Sequence, residues 1–279
     1  MKDDNSLLYA CVINDLALIT QRLVNVKPAQ LKKSTQETGT PLHAAALNNN
    51  REAVTLLLES GADIELGNFL RNNALFACIE AGNLDMATFL IEKGSDITKK
   101  GCQNRNLLSQ LICYAWDRDF AEYLISKGCD VTQTSRDNYG LLNDAACLNN
   151  VDAIDFLLQY PVAPEHLHSA LCWAIIKNAP AAVHVLLENG ANLADMHASR
   201  KGLEKGVYHL AALQENGTEL ITLLMQHGVD FAQAPERSTV VRLDKTKLSP
   251  LDYATAHLEK WPAATFLVRN IEAMHAVSA

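Results

Sequence analysis

Side chains suited to metal or nucleophilic chemistry are spread thinly along this chain of 279 residues. The densest histidine pair is His166-Leu-His168, just after Pro164. A zinc site needs three or four ligands, and no third one lies near in sequence. Seven cysteines are present: Cys11, Cys78, Cys102, Cys113, Cys129, Cys147 and Cys172. Their number is odd and they form no CxxC or Cys–His cluster, so neither a metal framework nor a disulfide framework is expected. Free thiols of this kind point to a reducing cytoplasm. The sequence holds no GxSxG, HExxH, Walker loop or dinucleotide fingerprint. Asp117-Arg-Asp119 and Lys99-Lys100 read as solvated charge runs. Asn216-Gly-Thr218 fits a glycosylation sequon, which matters only in a secretory compartment. No catalytic residue, metal or cofactor is expected, and no small-molecule substrate. What remains for these side chains is recognition.

Charge and composition narrow the partner. Lys plus Arg number 24 against 32 Asp plus Glu, a net charge of −8. Nonspecific nucleic-acid binding needs a cationic face, so this acidic chain excludes it. A basic protein would be steered in instead. No apolar stretch approaches the roughly 18 residues that span a bilayer. Met1-Lys-Asp-Asp-Asn has no apolar run behind it, so neither a secretory signal nor a membrane partner is expected, and the location is cytoplasmic. Aromatics make up only 6%, which leaves Leu, Ile, Val and Ala to build the core, and these are helix formers.

The elements that position the chain repeat. Thr40-Pro-Leu-His-Ala-Ala-Ala46 opens one unit, and Asn73–Ile79, Asn106–Ile112, Gly140–Ala146, Ser169–Ile175 and Ser249–Thr255 open others in degenerate form. A closing motif keeps the same beat: Gly61-Ala-Asp, Gly94-Ser-Asp, Gly128-Cys-Asp, Gly190-Ala-Asn and Gly228-Val-Asp. Between them lies a second apolar run such as Ala53–Leu58 or Met86–Ile91. Each unit therefore reads as two short helices with apolar positions at i, i+3 and i+4. Thr40-Pro41 caps a helix start, and the closing glycine supplies a left-handed helix end. A unit of this size cannot bury its apolar face alone, so neighbours must stack.

This pattern resembles the ankyrin repeat over about residues 5 to 270, with a 33-residue period and T-P-L-H-x-A opening. The resemblance implies an all-α ankyrin-repeat solenoid of seven to eight helix-turn-helix units with short β-hairpin fingers, in one domain spanning 1–279. The expected layout is an N-terminal cap at 5–26, repeats starting near 40, 73, 106, 140, 169 and 206, and a C-terminal cap at 249–270. His43 and His209 occupy the family's first-helix histidine position and should make turn-to-turn hydrogen bonds.

Breaks in the period mark candidate functional ground. Unit three has one extra residue around Tyr114-Ala-Trp116. The step into the unit at 169 is short and implies a shortened finger. Asp195–Gly206 and Ala232–Leu248 lengthen two other fingers and carry net charges of +1 and +2, leaving −11 on the rest. The resemblance further implies non-enzymatic binding of a protein through a concave groove lined by finger tips and first helices. Carried over position by position, the contact residues are Phe69, Leu70, Asn72, Glu80, Gln103, Arg105, Tyr114, Trp116, Arg136, Asp137, Tyr139, Leu148, Lys177 and Gln214. Adjacent apolar Phe69 and Leu70 on a normally polar tip are the most informative. Phe69, Trp116 and Tyr139 are expected one unit apart along one edge, while Trp173 is expected in the core. The biological role implied is an inhibitor or immunity protein neutralising a basic toxin. The alternatives are an effector or adaptor for a host or regulatory protein, or an enzyme hidden in the inserted loops.

Overall fold

The computed structural model describes residues 6–36, 38–133, 139–192, 217–229 and 264–269, together with 211, 231 and 255. Arg136, Asp137, His209, Gln214, both lengthened fingers and most of the cap at 249–270 lie outside them. The chain divides into two compact units, Met1–Gln133 and Thr134–Ala279. Among the described residues, no helix is long and apolar enough to cross a membrane.

Met1–Gln133 contains four helix pairs: α1 (Leu7–Val12) with α2 (Leu16–Leu23), α4 (Pro41–Leu47) with α5 (Arg51–Glu59), α6 (Ala74–Glu80) with α7 (Leu84–Glu92), and α8 (Leu107–Tyr114) with α9 (Arg118–Ser126). A further short helix, α3 (Pro28–Lys32), extends the first unit beyond the expected 5–26. First helices pack side by side, α1 on α4, α4 on α6 and α6 on α8. The contact is close because the buried positions are small or flat: Ala44, Ala45 and Ala46 on α4, Ala74 and Cys78 on α6. Leu57, Leu90 and Leu124 fill the layer beneath from the second helices.

Local chemistry sets each boundary. Thr40, Asn73 and Asn106 cap α4, α6 and α8 by accepting from the amide three residues on. Asn50 and Asp117 do the same for α5 and α9. The turn between paired helices needs one left-handed residue, supplied by Asn14, Asn49 and Gly82. Asn and Gly tolerate that conformation best. Unit three dispenses with it. Its extra residue lengthens α8 to eight residues, and Ala115 leaves the helix at φ −151°. At the far end, Gly61 (φ 90°) and Gly94 (φ 96°) take the left-handed helix stop expected of the closing motif. The aspartate of that motif then fastens the exit: Asp63, Asp96 and Asp130 each accept from the amide two residues on, at 2.8–2.9 Å.

The fingers differ from the expected hairpins. The pairing seen between described residues is a single isolated bridge, Thr35 with Gly39, and Gly140 is also in a bridge. The equivalent loops close with a single backbone bond, Asn68 N–H to Asn72 C=O (2.8 Å) and Gly101 N–H to Arg105 C=O (2.9 Å). Each bond falls just before the next helix cap. Four or five residues are too few to build a ladder once the cap has claimed the next one.

Thr134–Ala279 holds α10 (Leu141–Cys147) with α11 (Val151–Leu157), α12 (Pro164–Ile176) with α13 (Pro180–Glu188), and α14 (Thr218–Gln226). First helices α10 and α12 pack together, as do second helices α11 with α13 and α13 with α14. The short step into the unit at 169 comes with a shortened finger, as expected: only residues 158–163 link α11 to α12, where residues 60–73 link α5 to α6. What differs is the helix start, since α12 begins five residues earlier than the expected opening, at Pro164, and runs for 13 residues. Pro164 suits a first helical turn because its missing N–H is needed by no partner there. His166 and His168 are thus helical.

Candidate functional site

The finger at 65–72 is the best-built feature of Met1–Gln133. Asn68 folds its tip: its Oδ1 accepts from Leu70 N–H (2.9 Å) and Asn72 N–H (3.1 Å). Arg71 adopts φ 66°, a left-handed residue that completes the turn. Phe69 and Leu70 therefore stand out from a fixed loop, 58% and 40% exposed.

Glu65 anchors the other end of this finger, and sequence reasoning missed it. Its carboxylate accepts from Ser95 Oγ–H (3.0 Å), Asp96 N–H (2.8 Å) and Asn73 Nδ2 (3.0 Å). It also pairs with Lys99 Nζ at 3.2 Å, and the same ammonium donates to the Glu65 carbonyl. Four groups, one from the cap of α6 and three from the connection after α7, converge on one carboxylate. No motif announces this, because Glu65 lies outside the Gly-x-Asp closing and its partners are up to 34 residues away.

Asn72 belongs to the same framework and not to the outer surface. It is 3% exposed. Its Oδ1 accepts from Cys102 N–H (2.8 Å) in the next finger, and its carbonyl accepts from His43 Nε2–H (2.9 Å). His43 is the turn-to-turn tie expected of it. The Thr40 hydroxyl and amide lie 2.7 and 3.3 Å from Nδ1, which accepts from them in the neutral ring. Burial, partly opposed by the bond to Asn72, lowers the His43 pKa below its usual value. Gly101 packs so tightly here that a Cβ would lie 2.5 Å from Asn72 Oδ1.

The remaining candidates fall at three levels. Gln103 is exposed on the second finger, in a tight turn with φ 56°. Arg105, half-buried at the finger base, donates to Cys113 Sγ at 3.3 Å. Glu80 and Tyr114 are at the opposite end, as the last residues of α6 and α8. Glu80 accepts from Gln110 Nε2 (3.2 Å), and Tyr114 is 54% exposed. Trp116 is half-buried beyond the C-terminus of α8. Phe69 and Trp116 therefore do not share an edge: a first helix about 10 Å long separates their levels, at 1.5 Å per residue. The offset between them, 47 residues, exceeds the 33-residue repeat and takes in a further first helix. Leu47, exposed at the end of α4, stands at the level of Glu80 and Tyr114 and was not anticipated.

In Thr134–Ala279, Tyr139 is half-buried and committed to its own unit. Its hydroxyl donates to Asp144 Oδ1 (3.0 Å), and its ring meets Trp173 edge-on at 5.4 Å. Burial and then the Asp144 charge raise its pKa well above the usual tyrosine value. Trp173 itself is half-buried. Leu148 and Lys177 are exposed at the C-terminal ends of α10 and α12.

Among the described residues, no three His, Cys, Asp or Glu side chains cluster as a metal site. Burial pushes the Cys11 and Cys78 thiols up to about 12, far from nucleophilic thiolates at neutral pH.

Helix pairs stacked side by side and joined by short finger loops define a helical repeat scaffold. The chain belongs to the ankyrin-repeat family: the family described as ankyrin repeats (3 copies) matches residues 4–101 and 108–197. Solved structures agree in fold. The ankyrin repeat domain of Bcl-3 is 19% identical, covering 68% of this chain and 87% of its own, with a TM-score of 0.56. The human ASB11 ankyrin repeat domain is 22% identical, covering 77% and 91%, with a TM-score of 0.57. A chain from the complex of the Bdellovibrio bacteriovorus predatory endopeptidase Bd0816 with immunity protein Bd3460 is 21% identical. It covers 66% and 97%, with a TM-score of 0.56. Ankyrin repeats are in general protein-interaction modules and typically not enzymes.

Proposed function

We propose that this protein acts by stoichiometric, non-catalytic binding of another protein, and that finger 65–72 carries the central contact in Met1–Gln133. The observation behind this is the pairing of exposure with rigidity at Phe69 and Leu70. Large apolar side chains held in a fixed loop lose little entropy on binding. An aromatic next to an aliphatic anchor also has the chemistry of an interface hot spot. Gln103 and Arg105 on the adjoining finger supply the polar rim.

The form of action we propose is inhibition: the protein covers a basic partner, as an immunity protein covers a toxin or hydrolase. Two considerations support it. The net charge of −8 favours encounter with a cationic surface. One structure of similar fold comes from an endopeptidase–immunity protein complex. An adaptor would use the same finger, and the location we propose is the cytoplasm.

The test starts with affinity capture and cross-linking mass spectrometry to identify the partner. The purified pair is then titrated with wild-type protein and the Phe69→Ala/Leu70→Ala double variant. Exposed positions should leave stability unchanged, while affinity falls by at least about 2 kcal/mol, roughly thirtyfold. If the partner is an enzyme, its activity should fall to zero at one equivalent. Unchanged affinity in a stable double variant moves the site off this finger. Full partner activity in the saturated complex rejects inhibition while leaving binding intact.

A further inference from the structure

The second helices of Thr134–Ala279 form a surface that the finger contact does not use. Between α13 and α14 lies an open groove of about 590 Å³ that reaches Val151 at the start of α11. Its floor is apolar, from Val151, Pro180, Val185 and Leu223. Ala181 and Thr222 on the two walls are small and exposed, so they leave the gap unfilled. Glu219 and His184 stand at the rim, and His184 faces Glu188 at 3.2 Å.

Among the described residues, the charged side chains of the helices around this groove are acidic. Helices α11, α13 and α14 carry Asp152, Asp155, Glu188 and Glu219 and not one Lys or Arg. In Met1–Gln133, three of the four second helices carry an arginine: Arg22, Arg51 and Arg118. Among the described residues, an apolar trough with Glu219, His184, Thr222 and Gln226 along it, set in helices that carry carboxylates and no Lys or Arg, favours an apolar ligand with cationic flanks. Its walls are two helices whose lining residues run from Glu219 to Gln226, about 10 Å at 1.5 Å per residue. That length matches two turns of a third helix.

From this geometry we infer that the α13–α14 groove docks an amphipathic helix of a partner protein, with large apolar residues at i, i+3, i+4 and i+7 and Lys or Arg on its flanks. The apolar residues fill the trough, and the basic flanks meet Glu219 on its lining and Glu188 beside His184.

The probe is a fluorescein-labelled synthetic helix of about 14 residues with Leu at those four positions and Lys elsewhere; a second peptide has Glu in place of Lys. Fluorescence anisotropy with the full chain should show binding of the lysine peptide and at least about tenfold weaker binding of the glutamate peptide. Thr222→Trp, which plugs the groove from an exposed position, should weaken the lysine peptide about tenfold or more. Glu219→Lys should weaken it about threefold or more. The Phe69→Ala/Leu70→Ala variant should bind it as wild type does, which separates this surface from the finger. Circular dichroism melts check that each variant is folded. Absence of binding, equal binding of both peptides, or binding indifferent to Thr222→Trp and Glu219→Lys would each overturn the assignment. A concentration-dependent dimer of the wild-type chain that Thr222→Trp abolishes would give the groove to a second copy instead.

Discussion

Removing the Glu65 carboxylate should loosen finger 65–72 without touching any core side chain. In Glu65→Ala, Ser95 Oγ–H, Asp96 N–H and one Asn73 Nδ2–H lose their acceptor, and Lys99 loses its counter-ion. Asn73 is fully buried and Ser95 nearly so, which leaves these donors little access to water. A hydrogen bond to a charged group contributes about 1.5–3 kcal/mol, and a buried donor left without a partner costs about 1–3 kcal/mol. The Lys99 pair is roughly one-third exposed and adds at most about 1 kcal/mol after screening. These contributions share one carboxylate and are not additive, so the expected loss is about 2–4 kcal/mol. Glu65→Gln separates the parts. It keeps one carbonyl oxygen for Ser95 and Asp96 but turns an amide towards Asn73 and Lys99, and should cost about 1 kcal/mol. Urea denaturation followed by circular dichroism reads both, with m-values checked for constancy. Amide exchange at Asp96 should accelerate in Glu65→Ala and stay slow in Glu65→Gln. A loss below about 0.5 kcal/mol in Glu65→Ala, or equal losses in the two variants, would refute the idea that this carboxylate fastens the finger.

Two further perturbations probe the same framework. His43 has a lowered pKa in the folded state, so its contribution is complete above the unfolded value of 6.5. Stability should then fall by up to about 1.4 kcal/mol per pH unit below that value, levelling off at the folded pKa. Comparing urea midpoints of wild type and His43→Gln at pH 7.5 and 5.5 isolates this slope, and identical pH dependence in both would contradict it. Gly101→Ala should destabilise by about 1–3 kcal/mol, because its Cβ would meet Asn72 Oδ1 at 2.5 Å and Phe76 at 2.8 Å. Thermal melts measure it, and a neutral outcome would show that the two fingers can part without loss.

The repeat was readable because each part of it has a local cause. Thr40 or Asn before a helix, Asn or Gly at a left-handed turn and Gly before Asp at the exit are single-residue signals, and they recur in phase. The extra residue in unit three was also visible, since the period itself measures it. Errors arose where a count of residues stood in for a path through space. The finger before the unit at 169 is short, as the step implies, but Pro164 starts α12 five residues before the expected opening. A periodicity argument sees the missing residues and cannot say where the next helix begins. Phe69 and Trp116 misled in a related way: their offset of 47 residues is one repeat plus a first helix, which carries the chain from finger to helix end.

The candidate surface was legible only in part, for a related reason. Exposure at Phe69 and Leu70 could be anticipated, because apolar residues at a loop tip have no neighbour in sequence to cover them. What holds that tip still could not. Glu65 gathers Asn73, Ser95, Asp96 and Lys99, and Asn72 joins His43 to Cys102, across distances of one whole repeat. Consensus residues fix the helix pairs, whereas these polar ties occupy positions where the pattern is free to vary. A repeat scaffold can therefore keep its fold while changing its ties, and with them which fingers are stiff enough to bind. Variation at Glu65, Asn68 and Asn72 would then alter affinity through the geometry of Phe69 and Leu70, although none of the three need touch the partner.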